Sequence, residues 1–148
     1  MPKAVMETPI ARPADEVWAR IREFSDLGWY PGIESCTQEG DVRVAKVAGV
    51  DLECDELLVE HDDERRTYTY AVIGFRGDSQ FDLGGGQVLD LDSMTGHHRA
   101  SITIVEDGAS ACVVVYELEL DGGHDSTFES TSGQYKAVSE HLKGLMEA

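Results

Sequence analysis

Lys3-Ala4-Val5-Met6-Glu7-Thr8-Pro9-Ile10-Ala11-Arg12-Pro13-Ala14-Asp15-Glu16-Val17-Trp18 decides the fold. Lys3 to Ile10 reads as a short strand. Pro13 then stands where a first-turn proline is tolerated, and Asp15 and Glu16 suit the positive end of a helix. That helix carries Val17, Trp18, Ile21 and Phe24 on one side and is expected to run to about Phe24. A long run of β segments follows, and a second amphipathic helix begins near Ser126. Strands bracketed by two helices predict an α+β layer, an antiparallel sheet with both helices on one face. A curved sheet gripping one long helix can enclose a cavity.

The length of 148 residues predicts one domain, Met1–Ala148, able to bury roughly two thirds of its unfolded surface and keep some interior for a ligand. Asp and Glu total 29 against 12 Lys and Arg, a formal net charge of -17. Such a surface repels phosphate backbones and anionic lipid, so nucleic acid is not an expected partner; the acidity itself reads as a solubility or habitat trait. Cys36, Cys54 and Cys112 have neither disulfide-framework nor zinc spacing and read as small apolar fillers. No signal-peptide core and no bilayer-length apolar run is found, so a soluble cytoplasmic protein without membrane insertion is expected. No cofactor or metal is expected, and a homodimer is left open.

Ser25-Asp26-Leu27-Gly28 should break the first helix. Trp29-Tyr30-Pro31-Gly32 is an aromatic turn, because the residue before proline avoids the α region and Gly32 permits unusual φ. Strands follow at Ile33 to Gln38, Val42 to Val47 and Leu52 to His61. In the last, Leu52, Cys54, Glu56 and Leu58 share one face and Asp51, Glu53, Asp55, Leu57 and Val59 the other, and periodicity alone does not settle which points inward. Asp62-Asp63-Glu64-Arg65-Arg66 reads as a solvated turn. Thr67 to Ile73 is a strand that projects Tyr68 and Tyr70 to one side. Gly74 to Met94, with Gly84-Gly85-Gly86, reads as a mobile loop carrying one short strand.

Two well-patterned strands complete the sheet. His98, Ala100, Ile102 and Ile104 alternate with His97, Arg99, Ser101 and Thr103, which puts His98 on the inner phase. Cys112, Val114, Tyr116, Leu118 and Leu120 form the inner phase of the next, after a turn at Asp107-Gly108. The last helix opens on a candidate capping box, Ser126-Thr127-Phe128-Glu129, and carries Phe128, Tyr135, Val138, Leu142, Leu145 and Met146 at helical spacing. Gly133 should start or kink it.

In this order, Pro13-Ala14-Asp15-Glu16-Val17-Trp18, the Trp29-Tyr30-Pro31-Gly32 turn, Glu56 before Asp62, and Tyr68-Thr69-Tyr70-Ala71-Val72-Ile73-Gly74 resemble the START-like, helix-grip (SRPBCC) superfamily. That superfamily includes lipid-transfer domains and bacterial polyketide cyclase/dehydrase-like proteins. The resemblance implies a seven-stranded curved antiparallel sheet around a long C-terminal helix, two short helices after the first strand, and an internal apolar cavity. It also implies that Glu56, Tyr68 and Tyr70 face that cavity. Gly74 to Met94 departs from the family pattern by being longer and richer in glycine.

Glu56 then has two readings. On an apolar phase its carboxyl would be desolvated and its pKa pushed up, making it a general acid or base; equally, it is a structural carboxylate bonded to a neighbouring Tyr or Arg. Tyr68, Tyr70 and Tyr116 read as an apolar wall with hydroxyl tips, since a dry core has difficulty satisfying three buried hydroxyls. His98 is either a proton mover or a satisfied strand-end histidine, and neither His97-His98 nor nearby Asp90 and Asp92 has diagnostic metal spacing. Trp29 and Tyr30 read as caps at the cavity mouth beside the glycine run. The ligand-facing set is therefore Trp29, Tyr30, Glu56, Tyr68, Tyr70, His98, Tyr116 and Tyr135, with Glu56 and His98 as catalytic candidates. His141 reads as a packed or rim histidine. The leading function is binding or carriage of a small hydrophobic ligand, a lipid, polyketide or aromatic metabolite. The alternatives are a polyketide cyclase or dehydratase-type enzyme, and an interaction module with a filled core and an exposed apolar patch.

Overall fold

In the computed structural model the chain runs β1 (Lys3–Ile10), α1 (Ala14–Ile21), β2 (Ile33–Glu39), β3 (Val42–Val47), β4 (Leu52–Asp62), β5 (Thr67–Gly77), β6 (Gln80–Gly84), β7 (Gln87–Asp90), β8 (His98–Glu106), β9 (Cys112–Leu120) and α2 (Asp125–Glu147). The structure describes residues 3–77, 80–84, 87–90, 98–120 and 125–148, with side chains for 3–77, 98–120 and 131–148. Seven strands form one antiparallel sheet in the order β1-β9-β8-β5-β4-β3-β2. With α2 laid on β1 and β9, this is the expected α+β helix-grip architecture.

Alternation sets the two faces of the sheet. In β8 His98, Ala100, Ile102 and Ile104 are buried, and in β9 Cys112, Val114, Tyr116, Leu118 and Leu120 are buried, while their sequence neighbours are half-buried or exposed. Tyr135, Val138 and Leu142 of α2 and Val17, Trp18 and Ile21 of α1 close the same core. Each fully buried large apolar side chain there contributes roughly 2 kcal/mol. The acidic turn after β4 does more than meet solvent. Asp63 accepts hydrogen bonds from Trp18 Nε1 (2.9 Å) and Arg22 Nε (2.9 Å), and Arg66 pairs with Asp15 (2.8 Å), so the turn clamps both ends of α1.

Strict alternation fails at two positions between β4 and β5. The register passes from Leu58↔Tyr70 to Glu60↔Thr69, leaving Val59 unpaired, and from Asp55↔Gly74 to Glu56↔Val72, leaving Ile73 unpaired. Each extra residue is a bulge that turns outward, and both side chains are exposed. The second bulge flips the phase of β5. Tyr68, Tyr70 and Val72 point inward before it and Phe75 packs against the core after it.

Three segments differ from the sequence expectation. α1 ends at Ile21 rather than near Phe24, and two single turns, closed by Asp26 N–H to Glu23 O (3.0 Å) and Tyr30 N–H to Leu27 O (2.9 Å), stand where a second short helix is expected. Phe24 is nonetheless buried by the first turn. Gly74 to Met94 holds more strand than expected. β5 continues to Gly77, and β6 pairs with β7 as a separate two-stranded sheet; Gln80-Phe81-Asp82-Leu83 alternates polar with apolar residues, and Gln87-Val88-Leu89-Asp90 carries the β-branched Val88 beside Leu89. Gly85, Gly86 and Met94 lie outside the described residues. β5 stops at Gly77, whose φ of 96° and contact with the Asp51 backbone exclude any side chain. Gly32 likewise takes a φ of 81° in the aromatic turn.

The third difference is α2, which neither starts nor breaks at Gly133. Tertiary packing of Tyr135, Val138 and Leu142 overrides the local glycine penalty. The capping-box segment lies in the first turn, and the side chains of Ser126 to Glu129 lie outside the described residues. Among the described residues no helix is long and apolar enough to cross a membrane. Gly133 is exposed and helical, and beyond its chain neighbours and the helix's own backbone nothing lies within 4 Å of a Cβ built there. Gly133→Ala is therefore expected to raise unfolding free energy by about 1 kcal/mol, read as a higher urea midpoint at unchanged m-value.

Candidate functional site

Between the concave face of the sheet and α2 lies a cavity of about 260 Å³. β3 supplies Arg43, Ala45 and Val47 to its wall, β4 supplies Leu52, Cys54 and Glu56, and β5 supplies Val72 and Phe75. His98 comes from β8, Thr131, Gln134 and Tyr135 from α2, and Leu27, Tyr30 and Ile33 from the turn before β2 and its first residue. The lining is mainly apolar, with polar groups gathered in two places.

The first is a buried ion pair. Arg43 Nε donates to Glu56 Oε1 at 2.7 Å, with side-chain exposures of 2% and 11%. The two residues are directly opposite in the β3–β4 register, so the pairing follows from strand alignment. Arg43 Nη1 also donates to the Phe24 carbonyl (3.0 Å), and its guanidinium lies 4.0 Å over the Phe24 ring and 4.8 Å from that of Tyr70. These contacts replace the water that Arg43 gives up. Glu56 thus faces the cavity as the resemblance implies, but as the partner of an arginine. Beside it, burial and then the Glu56 charge push the Cys54 thiol well above its usual range, keeping it neutral.

The second cluster joins strands to α2. The Tyr70 and Tyr116 hydroxyls are 2.6 Å apart, Tyr70 donates to Tyr135 at 3.0 Å, and the Tyr135 hydroxyl lies 2.7 Å from His98 Nε2. Tyr116 and Tyr135 also stack at 4.3 Å. Burial raises all three phenols well above their ordinary pKa and lowers His98 to about 4, so every member is neutral near pH 7. The hydroxyls therefore satisfy one another.

Tyr30, Glu56, His98 and Tyr135 line the cavity, and Tyr68, Tyr70, Tyr116 and Trp29 stand behind it. Tyr68 packs among Trp18, Phe24 and His61. Trp29 is fully buried with its Nε1 donating to the Asp26 carbonyl (3.1 Å), whereas the Tyr30 hydroxyl accepts from Gln134 Nε2 (3.1 Å) and fastens the turn to α2. His141 is exposed. His97, Asp92 and the side chain of Asp90 lie outside the described residues.

Sequence reasoning missed Arg43. The signal was present: Arg43 shares a strand phase with Ala45 and Val47, and a β3–β4 hairpin centred between Gly49 and Val50 places it opposite Glu56. A charged residue within a strand reads as solvent-facing unless its cross-strand partner is considered.

Removing one member of a buried pair strands the other, whereas replacing both with apolar groups does not. Arg43→Met is expected to cost about 3–5 kcal/mol, with most of it recovered in the double variant Arg43→Met/Glu56→Leu, as urea-based double-mutant cycles would show. His98 gives a pH signature. Its folded pKa of about 4 lies below the ordinary 6.5, so between these values the unfolded chain binds more protons. Its contribution is intact above pH 6.5 and is lost as pH falls, by about 3 kcal/mol near pH 4. The stability difference between wild type and His98→Phe should therefore shift by roughly 2–3 kcal/mol between about pH 7 and about pH 4.5.

A protein of Bacillus thuringiensis aligns with a TM-score of 0.79 at 17% identity, covering 99% of this chain and 100% of its own. A START superfamily protein from Mycobacterium smegmatis aligns with a TM-score of 0.69 at 11% identity, covering 98% and 97%. Norcoclaurine synthase from Thalictrum flavum, in complex with dopamine and hydroxybenzaldehyde, aligns with a TM-score of 0.66 at 18% identity, covering 97% and 85%. These likenesses establish the fold. No curated protein matches. Residues 1–147 match the family described as polyketide cyclase / dehydrase and lipid transport, and so the chain belongs to that START-like family.

Proposed function

We propose that the protein binds a small, neutral, largely apolar molecule in the cavity between the sheet and α2, and sequesters or carries it. The observation that carries this reading is the cavity itself: mainly apolar walls with few, fixed polar groups, as small-molecule sites have. Its volume of about 260 Å³ is just below the ~300–1,000 Å³ of drug-sized sites, which favours a one- or two-ring molecule over a two-tailed lipid. The Arg43 charge is matched by Glu56, so the site offers no free countercharge, and the net charge of -17 opposes anions. The norcoclaurine synthase neighbour holds one-ring aromatic molecules, in keeping with a ligand of this size.

In this reading Tyr30, Glu56, His98 and Tyr135 contact the ligand, and Trp29, Tyr68, Tyr70 and Tyr116 hold the wall in shape from behind. Glu56 acts through Arg43 to fix one end of the cavity. An interaction module, by contrast, would need a filled core. Native mass spectrometry of freshly purified protein, with identification of what denaturation releases, is the test. We expect a stoichiometric neutral passenger of one- or two-ring size, and the same spectrum reads whether the chain is a homodimer. An empty protein that also fails to bind a panel of neutral one- and two-ring aromatics would refute the proposal.

A further inference from the structure

Three strands set one large ring in a row of small side chains. Ala45 of β3 is paired with Cys54 of β4, and Cys54 with Phe75 of β5, so the three side chains stand on one face of the sheet, and all three line the cavity. Ala45 and Cys54 make a low floor, and Phe75 stands beside it as a wall. No neighbouring strand shares that wall: the β5–β8 pairing ends at Val72↔His98, short of Phe75. The next row pairs Leu52 with Gly77, where a side chain has no room. Among the described residues Phe75 is therefore the last β5 side chain in the cavity wall.

Phe75 owes its direction to the bulge at Ile73. With unbroken alternation after Val72, Gly74 would point inward and Phe75 outward. The extra residue instead leaves Gly74 beside Asp55 on the outer face and turns Phe75 into the cavity. Bulges re-aim side chains in this way next to functional sites. The ring is half-buried and packs against the core, so part of its apolar surface stays uncovered. Tyr30 packs on Trp29 at 5.7 Å and Tyr135 on Tyr116 at 4.3 Å, whereas Phe75 has no ring partner among the described residues. A second ring placed against it gains more than the buried area alone supplies.

We propose that Phe75 is the specificity-determining residue of the cavity, and that its ring selects a flat aromatic ligand of one or two rings, packed against it over Ala45 and Cys54. The inference rests on the cavity-binding reading and adds the shape of the ligand and the residue that sets it. A third ring would have to occupy the space that the Phe75 side chain fills.

The test measures, by equilibrium dialysis against the full chain, the affinities of indole and 2-phenylindole, neutral aromatics of two and three rings. Wild type should bind indole more tightly. Phe75→Ala should weaken indole roughly two- to tenfold through loss of the ring pair, and tighten 2-phenylindole roughly tenfold or more through the space released. Phe75→Leu keeps much of the volume without the flat ring, so it should weaken indole by a similar factor and still exclude 2-phenylindole; it also serves where Phe75→Ala fails to fold. Wild-type affinity for 2-phenylindole equal to or above that for indole, no gain of 2-phenylindole in folded Phe75→Ala, or full indole affinity in Phe75→Leu overturns the assignment and leaves the cavity-binding reading standing. If wild type binds neither indole nor any other one- or two-ring aromatic of the panel, that reading falls and this inference with it.

Discussion

A charge taken out of water has to be met at close range, and Arg43 imposes that condition at the centre of the fold. Its guanidinium is almost wholly buried, yet it reaches Glu56 on the neighbouring strand, the Phe24 carbonyl on the turn after α1, and the faces of Phe24 and Tyr70. One side chain thereby joins β3, β4, β5 and the turn that carries Leu27 and Tyr30 to the cavity. The turn does not need to be helical to be held, because its backbone carbonyl and an aromatic ring are both fastened to the same cation. A hydrophobic side chain at position 43 could fill the space but could not bind a carbonyl. The pair is therefore better understood as fixing geometry than as adding net stability, since desolvation offsets much of its attraction.

The fold was legible wherever one residue's environment is set by its own strand or helix. The period-2 pattern of β8 and β9 names the inner face residue by residue, and the apolar stripe of Tyr135, Val138 and Leu142 names the buried side of α2. What was not legible depends on pairing between distant segments. Val59 and Ile73 look like ordinary strand residues, and only the β4–β5 register makes them bulges. The same holds for the site. Glu56 and His98 could be placed inward, but the partner that makes Glu56 half of an ion pair lies 13 residues away, and the tyrosine ladder joins residues 46 and 65 apart. Of the three phenols expected to tip the cavity wall, Tyr70 and Tyr116 pair with each other and Tyr70 with Tyr135, while Tyr68 packs among Trp18, Phe24 and His61.

The two polar clusters treat their hydrogen-bonding capacity differently. Arg43 and Glu56 form a closed unit, bonded to each other and to protein backbone. The ladder from Tyr116 to His98 ends in one unmet atom, the buried Nδ1 of His98. A closed cluster defines the shape of a cavity without favouring a ligand chemistry. The ladder instead ties β5, β8 and β9 to α2, and so holds the opposite wall of the cavity in place.

Consistency between local preference and global packing is what makes a sequence fold to one structure, and the places where it is broken are expected to be functional. Here the outer shell breaks few rules: the sheet alternates except at the two β4–β5 bulges, α1 is clamped by Asp63 and Arg66, and even Gly133 is absorbed into α2. The departures concentrate at the cavity, where a neutral histidine is held unprotonated by burial with one ring nitrogen unmet. A core built only for stability would replace His98 with an apolar residue of similar size, because the imidazole gives up stability as acid protonates it and brings one hydrogen bond in return. On an otherwise apolar inner phase, beside Ala100 and Ile102, what His98 supplies is a tie to the Tyr135 hydroxyl that couples the sheet to α2 across the cavity wall.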